Sequence, residues 1–313
     1  MAARLRHALR GRRRPSGTLV SLVSQAAAGW WAPDPPGAHQ RHLVQRTDAA
    51  RVLALSRTPE GVADLGVRAR HADFDEPDAL VRALDGVERL LIISIGTDDR
   101  LPKHVRAIDA AVQAGVGHVL FTSITRAGDP GHPNPLVPDY GATERLLVES
   151  GLPFTVLRFN VWVEMLNLVG VAPRAVATEV LPSNSRDGRI GHITRDDSAA
   201  VAAAVLAEGG SQGEILEVTG PEAVTDADIA AALSEATGRH IRYEEVSDAA
   251  HPQRLMGQGF PEHFAHAWSA AGTAKRDGWY DITTHTVQRL TGQPATPVVD
   301  YLAAHRAELI GRD

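Results

Sequence analysis

Residues 116–160 constrain the fold more than any other part of the chain. Two short apolar runs, His118–Phe121 and Phe154–Leu157, have the length of buried strands, and each ends in polar residues. Between them, Tyr140–Ser150 has the spacing of a helix and is followed by glycine. A strand, a helix and a strand form a βαβ unit of a parallel sheet, which binds ligands beyond the carboxyl ends of its strands. We therefore expect the functional site where these two strands end.

Strand and helix patterns alternate from residue 51 onward. RVLALSR, VRARHADFDEP and ERLLIISIG are predicted strands, and PDALVRALDG and LPKHVRAIDAAVQAG are predicted helices. After residue 160 the alternation loosens into helices with a few short strands. This order predicts an α/β fold with a doubly wound parallel sheet and a smaller C-terminal lobe on the substrate side.

Composition excludes several classes of function. The chain has no Cys, so disulfides, thiolate metal sites and thiol catalysis are ruled out. No apolar run approaches the roughly 18 residues that a membrane span needs. Residues 17–313 carry 26 basic and 38 acidic side chains, which argues against direct nucleic-acid binding. We expect a cytoplasmic protein that acts on a small molecule, not on a membrane.

Residues 1–47 differ from the rest of the chain. The first 16 contain six Arg and no acidic residue, and Trp and Pro without periodicity follow. A disordered extension, a wrongly translated 5′ end and a targeting segment are the alternatives. Arg12–Arg14 followed by a weak apolar stretch only loosely imitates a twin-arginine signal.

Several segments from residue 51 to the end resemble one known family. ALSRTPE, HADFDEP, LLIIS, GVGHVLFTS, ATERLLVESGLPFTVLR and ITRDDSAAVAAAVL stand in family order and spacing. They make the chain similar to the NmrA-like, quinone-oxidoreductase-type branch of the atypical short-chain dehydrogenases. The resemblance implies a Rossmann-like domain that binds NADP(H) or NAD(H). It divides the chain into an atypical or disordered segment, 1–40, an NAD(P)-binding domain, 41–160, and a substrate-side lobe, 161–313.

The family's glycine-rich turn, which lets the backbone approach the pyrophosphate, is not visible in this sequence. Its glycines should fall near positions 30, 33 and 36, where the chain has Trp30, Pro33 and Pro36. Nothing in residues 25–36 is an apolar strand, so the first strand is also expected to be missing. A disturbed reading frame upstream of residue 40 is the preferred hypothesis, and impaired dinucleotide binding is an alternative.

The remaining strand ends supply the expected cofactor contacts. Arg57 ends a predicted strand. An Arg at this position can pair with the 2′-phosphate of NADP, which predicts that the protein binds NADP(H) in preference to NAD(H). In similar proteins Asp73 and Phe74 line the adenine ring. The expected cofactor-binding residues are Arg57, Asp73, Phe74, Ser94, Ile95, Gly96, Thr122, Ser123 and Tyr140. Phe159, Asn160 and Trp162 are expected in the substrate pocket, with core packing as the alternative for the two aromatic residues.

Tyr140 is a weak candidate for a catalytic residue. Classical short-chain dehydrogenases use Tyr-x-x-x-Lys, in which the ammonium lowers the pKa of the phenol. Here the fourth position after Tyr140 is Glu144, whose charge would raise that pKa, and the chain has only two Lys, Lys103 and Lys275. We therefore assign no catalytic residue and expect Tyr140 to contact substrate or ribose.

The leading functional hypothesis is an NAD(P)H-dependent oxidoreductase that passes a hydride to a quinone or a similar small acceptor. Such an acceptor can take its proton from water, so the reaction needs orientation more than a strong acid. The alternative is a non-catalytic NAD(P) sensor of NmrA type that regulates a partner protein. No metal is expected, because His263 and His266, three residues apart, lack a further ligand at suitable spacing.

Overall fold

Seven parallel strands form the central sheet of the computed structural model, which describes residues 18–22, 38–57, 59–60, 66–94, 99–134 and 137–310. The order across the sheet is β3-β2-β1-β4-β5-β6-β8, and β7 pairs with β9 in a separate two-stranded sheet. The strands are β1 Thr18–Leu22, β2 Val52–Ser56, β3 Arg68–His71, β4 Val87–Ile92, β5 His118–Ile124, β6 Phe154–Phe159, β7 Val180–Ser183, β8 Glu214–Val218 and β9 Arg242–Glu245. This order confirms the predicted doubly wound, Rossmann-like α/β fold.

Helices connect the strands and cover both faces of the sheet. They are α1 Ala38–Arg46, α2 Pro77–Ala83, α3 Arg100–Gln113, α4 Val137–Glu149, α5 Met165–Leu168, α6 Val171–Thr178, α7 Arg195–Glu208, α8 Asp226–Thr237, α9 His251–Gly257, α10 Glu262–Arg276, α11 Thr286–Thr291, α12 Val298–Ala304 and α13 Arg306–Ile310. Among the described helices, none combines the length and the apolarity that crossing a membrane requires.

The buried strands are apolar at nearly every position because their side chains pack in two cores, one on each face of the sheet. In β4, Leu90 and Ile92 pack in the core that contains α2, α3 and α4. Leu91, between them, packs in the opposite core with α1, α7 and α11. Successive side chains of a strand point to opposite faces, so a sheet covered on both sides needs apolar residues at nearly every position. Polar side chains are thereby confined to the strand ends.

The expectation that the first strand is missing is wrong. Thr18–Leu22 forms β1 in the middle of the sheet, where Val20 pairs with Leu53 of β2 on one side and Leu90 of β4 on the other. The segment TLVSL is short, only three of its five residues are apolar, and it lies before the stretch where the family spacing places this strand. Positions 30, 33 and 36 lie outside the described residues. The chain division at residues 40 and 160 stays a prediction.

The chain beyond residue 160 builds a separate core from α6, α8, α10 and α12. It also returns to the main sheet, since β8 pairs with β6. Gly191 lies where two chain segments cross, and a Cβ there would be 2.1 Å from the carbonyl oxygen of Ile282. Only glycine permits this approach, so a larger residue at position 191 would push the lobe away from the strand ends.

The central position of β1 predicts how a proline within it will act. Val20→Pro removes an amide donor from a strand that pairs on both sides, so we expect the free energy of unfolding to fall by roughly 3 kcal/mol or more. Val20→Ile keeps the amide and the β-branch and serves as the control. Urea denaturation of both variants measures the effect. Equal stability of the two would mean that this segment does not pair in the sheet.

Candidate functional site

Buried hydroxyl groups lie together where β4 and β5 end. The backbone N–H of Ser94 donates a hydrogen bond to Oγ1 of Thr122, at 2.8 Å, and so joins the two strand ends. Ser123 follows on β5 and is also buried. In a parallel sheet all carboxyl ends share one edge, so these groups come together although they are distant in sequence. This is the edge where the sequence predicts the site.

A cavity of about 210 Å³ opens beside these strand ends. Seven of the predicted residues line it: Ser94, Thr122, Ser123, Tyr140, Phe159, Asn160 and Trp162. Aromatic and aliphatic side chains make up most of the wall. Asn160 is held in place because its side-chain N–H donates to the carbonyl oxygen of Tyr280 at 3.0 Å and its Oδ1 accepts from the N–H of Val161 at 2.8 Å.

The other predicted cofactor residues lie along the same edge, outside this cavity. Arg57 follows β2 and is exposed. Asp73 follows β3, and its carboxylate accepts a hydrogen bond from the N–H of Asp75 at 3.0 Å. Phe74 is 3% exposed and belongs to the core under α2 and α3, so its side chain offers a ligand little surface. Ile95 and Gly96 fall outside the described residues.

Tyr140 lies on α4 with its ring buried between the sheet and α3. The adjacent Gly141 permits this packing, because a Cβ there would be 2.4 Å from the carbonyl oxygen of Ala127. Burial raises the pKa of the Tyr140 phenol, while the neighbouring Ser94 hydroxyl and the Arg100 guanidinium act in the opposite direction. The phenol is therefore protonated at neutral pH and can donate a hydrogen bond into the cavity.

Glu144 does not act on Tyr140 in the way its sequence position indicates. Its carboxylate accepts a hydrogen bond from Oγ of Ser123, at 2.6 Å, and two from Arg158, at 3.0 Å from Nε and 2.7 Å from Nη2. The charge that was expected to raise the pKa of the phenol is thus balanced by Arg158. The pKa of Tyr140 is raised, but burial is the main cause.

Arg158, near the end of β6, contacts the buried polar groups beside the cavity and was not among the predicted site residues. It pairs in register with Ser123 of β5 on one side and Glu217 of β8 on the other. Its Nη1 lies 3.4 Å from Glu217, whose second oxygen accepts from Oγ1 of Thr125 at 2.7 Å. The hydrogen bond with Glu144 raises the pKa of Arg158, which stays charged. The signal available in the sequence is a basic residue near the end of a buried strand.

Other cavity residues come from parts of the chain without a recognisable motif. His39 of α1 and Ser198 of α7 also line the cavity, and Ser198 accepts a hydrogen bond from Nε1 of Trp162 at 3.1 Å. Asn134, Met165, Ala271 and Tyr280 line the remaining wall. Their approach depends on how the lobe folds back over the sheet, which no local pattern encodes. No group of His, Asp and Glu among the described residues could hold a metal ion.

Comparison with known proteins identifies the family to which the chain belongs. A family model described as NAD(P)H-binding matches residues 38–209. Quinone oxidoreductase 2 of Escherichia coli is 33% identical over 82% of this chain and 90% of its own length. The NAD(P)H azoreductase of Xenophilus azovorans is 30% identical over 77% of this chain and 84% of its own. The chain belongs to this NAD(P)H-binding family.

Solved structures give the same assignment. The NADPH-dependent quinone oxidoreductase of Escherichia coli, in complex with NADPH, superimposes with a TM-score of 0.81 at 29% identity, over 91% of this chain and 99% of that one. The Citrobacter triphenylmethane reductase with NADP(H) superimposes with a TM-score of 0.80 at 26% identity, over 92% and 99%. The expectation of an NAD(P)H-dependent oxidoreductase is confirmed, and the alternative of a non-catalytic sensor is not favoured.

The ion pair between Arg158 and Glu144 should stabilise the site measurably. Arg158→Met leaves Glu144, whose side chain is 5% exposed, without its cation, so we expect a loss of about 3–5 kcal/mol in the free energy of unfolding. Adding Glu144→Gln to Arg158→Met should restore part of that loss. Urea denaturation of the single and double variants gives the coupling energy.

The matched control for this measurement is Arg254→Met. Arg254 also contacts a carboxylate through Nε and Nη2, that of Glu244 at 3.2 and 2.9 Å, but its side chain is 39% exposed. Exposed pairs contribute about 1 kcal/mol or less. A loss at Arg158 no larger than that at Arg254 would contradict the structural role of the buried pair.

Proposed function

We propose that this protein transfers a hydride from NADPH to a neutral quinone bound in the cavity at the strand ends. The observation that carries the proposal is the composition of that cavity. Aromatic rings of Phe159, Trp162 and Tyr140 line it, and no Lys is among the described residues that line it. Such a wall suits a planar acceptor that needs stacking and orientation. The names of the quinone oxidoreductase and azoreductase relatives support the same acceptor class.

The residues at the strand ends support a preference for NADP(H). Ser94, Thr122 and Ser123 offer hydroxyl and backbone groups to the nicotinamide ribose, with Tyr140 beside them. Arg57 offers a guanidinium beyond β2, where a 2′-phosphate would lie. The NADPH and NADP(H) complexes of the two structural relatives support NADP(H) as the cofactor. The preference over NAD(H), the residue roles and the cytoplasmic location stay predictions.

The residues that line the cavity have different roles in the proposed reaction. When bound, the reduced nicotinamide supplies a hydride, and the quinone that accepts its two electrons needs one proton to become the hydroquinone. The neutral Tyr140 phenol donates a hydrogen bond to the quinone oxygen that becomes negative. Water then supplies the proton, since no Lys is placed to recharge the phenol. Phe159 and Trp162 would hold the ring of the acceptor in the cavity at the strand ends.

Steady-state oxidation of NADPH with 1,4-naphthoquinone tests the proposal directly. We expect turnover by the wild-type protein and a fall of less than about tenfold in kcat for Tyr140→Phe, because the phenol orients the acceptor. General acid catalysis typically contributes about 10²–10⁴-fold, so a loss of that size would assign the proton to Tyr140. Titration with NADPH precedes the assay. Absence of binding would refute the proposal and support the alternative of impaired dinucleotide binding.

Arg57→Ala tests the proposed preference for NADP(H). Losing one charge-assisted contact costs about 1.5–3 kcal/mol, so we expect KM for NADPH to rise roughly 10- to 150-fold. KM for NADH should change less than about threefold. Arg82→Ala removes the same charge from an exposed position on α2 and should leave both values unchanged. Equal weakening of the two dinucleotides by Arg57→Ala would refute the assigned role.

A further inference from the structure

A second, smaller cavity adjoins the first on the side of the C-terminal lobe. Its volume is about 80 Å³, and Val161, Ala271 and Tyr280 line both cavities. A water molecule occupies about 30 Å³ of liquid volume, so the space suits two or three waters or the end of a short substituent. Unlike the first cavity, this one contains an ion pair and two buried histidines.

The ion pair consists of Lys275 of α10 and Asp226 of α8. Nζ of Lys275 donates to one carboxylate oxygen, while Ser183 and Ser185 donate to the other at 2.5 and 2.7 Å. Burial alone would raise the pKa of Asp226, but the charge of Lys275 and these hydrogen bonds outweigh it and lower the pKa to about 2. The carboxylate of Asp226 is therefore ionised, and the ammonium of Lys275 balances its charge. An ammonium has three donors, of which only one has an acceptor among the described residues.

The two histidines each present an acceptor without a partner. Nδ1 of His192 lies 3.0 Å from the carbonyl oxygen of Val161, and Nε2 of His251 lies 3.2 Å from that of Pro182. A carbonyl only accepts, so these nitrogens carry the hydrogen of each neutral ring. The opposite nitrogens, Nε2 of His192 and Nδ1 of His251, have no partner among the described residues.

Burial keeps both rings neutral. His192 is 4% exposed and His251 is 1% exposed. Burial, helped by the charge of Lys275, lowers the pKa of His192 to about 4, and burial also lowers that of His251. A buried acceptor without a partner is unfavourable, so the cavity favours a ligand that supplies donors.

The charges of the cavity restrict that ligand further. Two imidazole lone pairs and the Asp226 carboxylate oppose an anion, and Lys275 opposes a cation. A neutral hydroxyl can donate to a histidine and accept from Lys275. We propose that the second cavity is a substrate subsite for the hydroxyl-bearing tail of an acceptor whose ring occupies the first cavity. This assignment rests on the proposed function, because it extends the same substrate.

A matched pair of quinones tests the subsite. 2-(3-Hydroxypropyl)-1,4-naphthoquinone and 2-butyl-1,4-naphthoquinone differ only in a terminal hydroxyl against a methyl group. A hydrogen bond contributes about 0.5–1.5 kcal/mol, so we expect the hydroxyl compound to be preferred about fivefold in kcat/KM. Two further pairs, whose side chains are one methylene shorter and one methylene longer, are measured in the same way. The subsite proposal requires that the hydroxyl compound be preferred in at least one of the three pairs.

Isosteric variants then locate the preference. His251→Leu and His192→Met remove the free acceptors and should bring the ratio for the preferred pair to about one. His251→Asn and His192→Gln place an oxygen near the lost nitrogen and should restore part of the ratio. A merely structural role of these histidines would not produce this rescue.

The control variant is His118→Leu. His118 is also 1% exposed and has an unpartnered Nδ1, but it lies where β5 begins, at the opposite edge of the sheet. For His118→Leu, the ratio of kcat/KM between the two compounds of the preferred pair should equal that of the wild type. A change of the same size as in His251→Leu would show a general loss of stability and would overturn the assignment.

Binding is measured independently of turnover, by quenching of tryptophan fluorescence, since Trp162 and Trp268 line the two cavities. If no quinone is reduced, the proposed function fails, and the ratio of Kd values still decides the subsite. If 1,4-naphthoquinone is reduced but every matched pair gives a ratio of one, the subsite proposal is overturned while the function stands. The second cavity would then hold only ordered water.

Discussion

A parallel sheet covered on both faces leaves its carboxyl edge as the place where polar side chains can meet a ligand. Here that edge also has to accommodate a cation, because Arg158 lies next to the end of the buried strand β6. Glu144 from α4 and Glu217 from β8 approach it from two sides and balance its charge. The ends of β5, β6 and β8 and the helix α4 are thereby tied to one guanidinium. The position of Tyr140, one turn before Glu144 on α4, depends on this contact.

The polar network also changes how the missing Tyr/Lys pair should be understood. In the classical arrangement a cation follows the tyrosine on the same helix, whereas here the cation that acts on the phenol is Arg100 of α3, and Arg158 on β6 faces the carboxylate of Glu144. Arg100 lowers the pKa of the phenol and Asp139 raises it, while burial is the largest cause of the overall rise. A phenol in this environment is a good hydrogen-bond donor and a poor proton relay. A neutral acceptor that takes its proton from water suits such a site better than an alcohol or ketone pair that exchanges protons with the enzyme.

The sequence was sufficient for the parts of the fold that repeat a local pattern. Buried strands and helices alternate, so the sheet and the edge that carries the site could be predicted, and seven predicted residues line one cavity. The register of Arg158 with Ser123 and Glu217 could not be predicted, because it depends on β8 lying beside β6. The central strand β1 was missed because five residues with two hydroxyl side chains are a weak pattern. Tyr280 and Ala271 reach the cavity through the fold of the lobe, which has no local signature.

The two sides of the first cavity come from different parts of the fold. The strand ends form one side of that cavity, and they are constrained by the hydrogen bonds between β4, β5 and β6. The opposite wall comes from residues 160–165 and from α10, whose packing depends on side chains of the lobe. Lys275 and Ala271 stand one turn apart on α10, so the wall of the first cavity and the ion pair of the second belong to one helix. Because the sheet fixes the strand ends and α10 belongs to the lobe, we expect substitutions in the lobe to alter the opposite wall of the cavity without disturbing the strand ends.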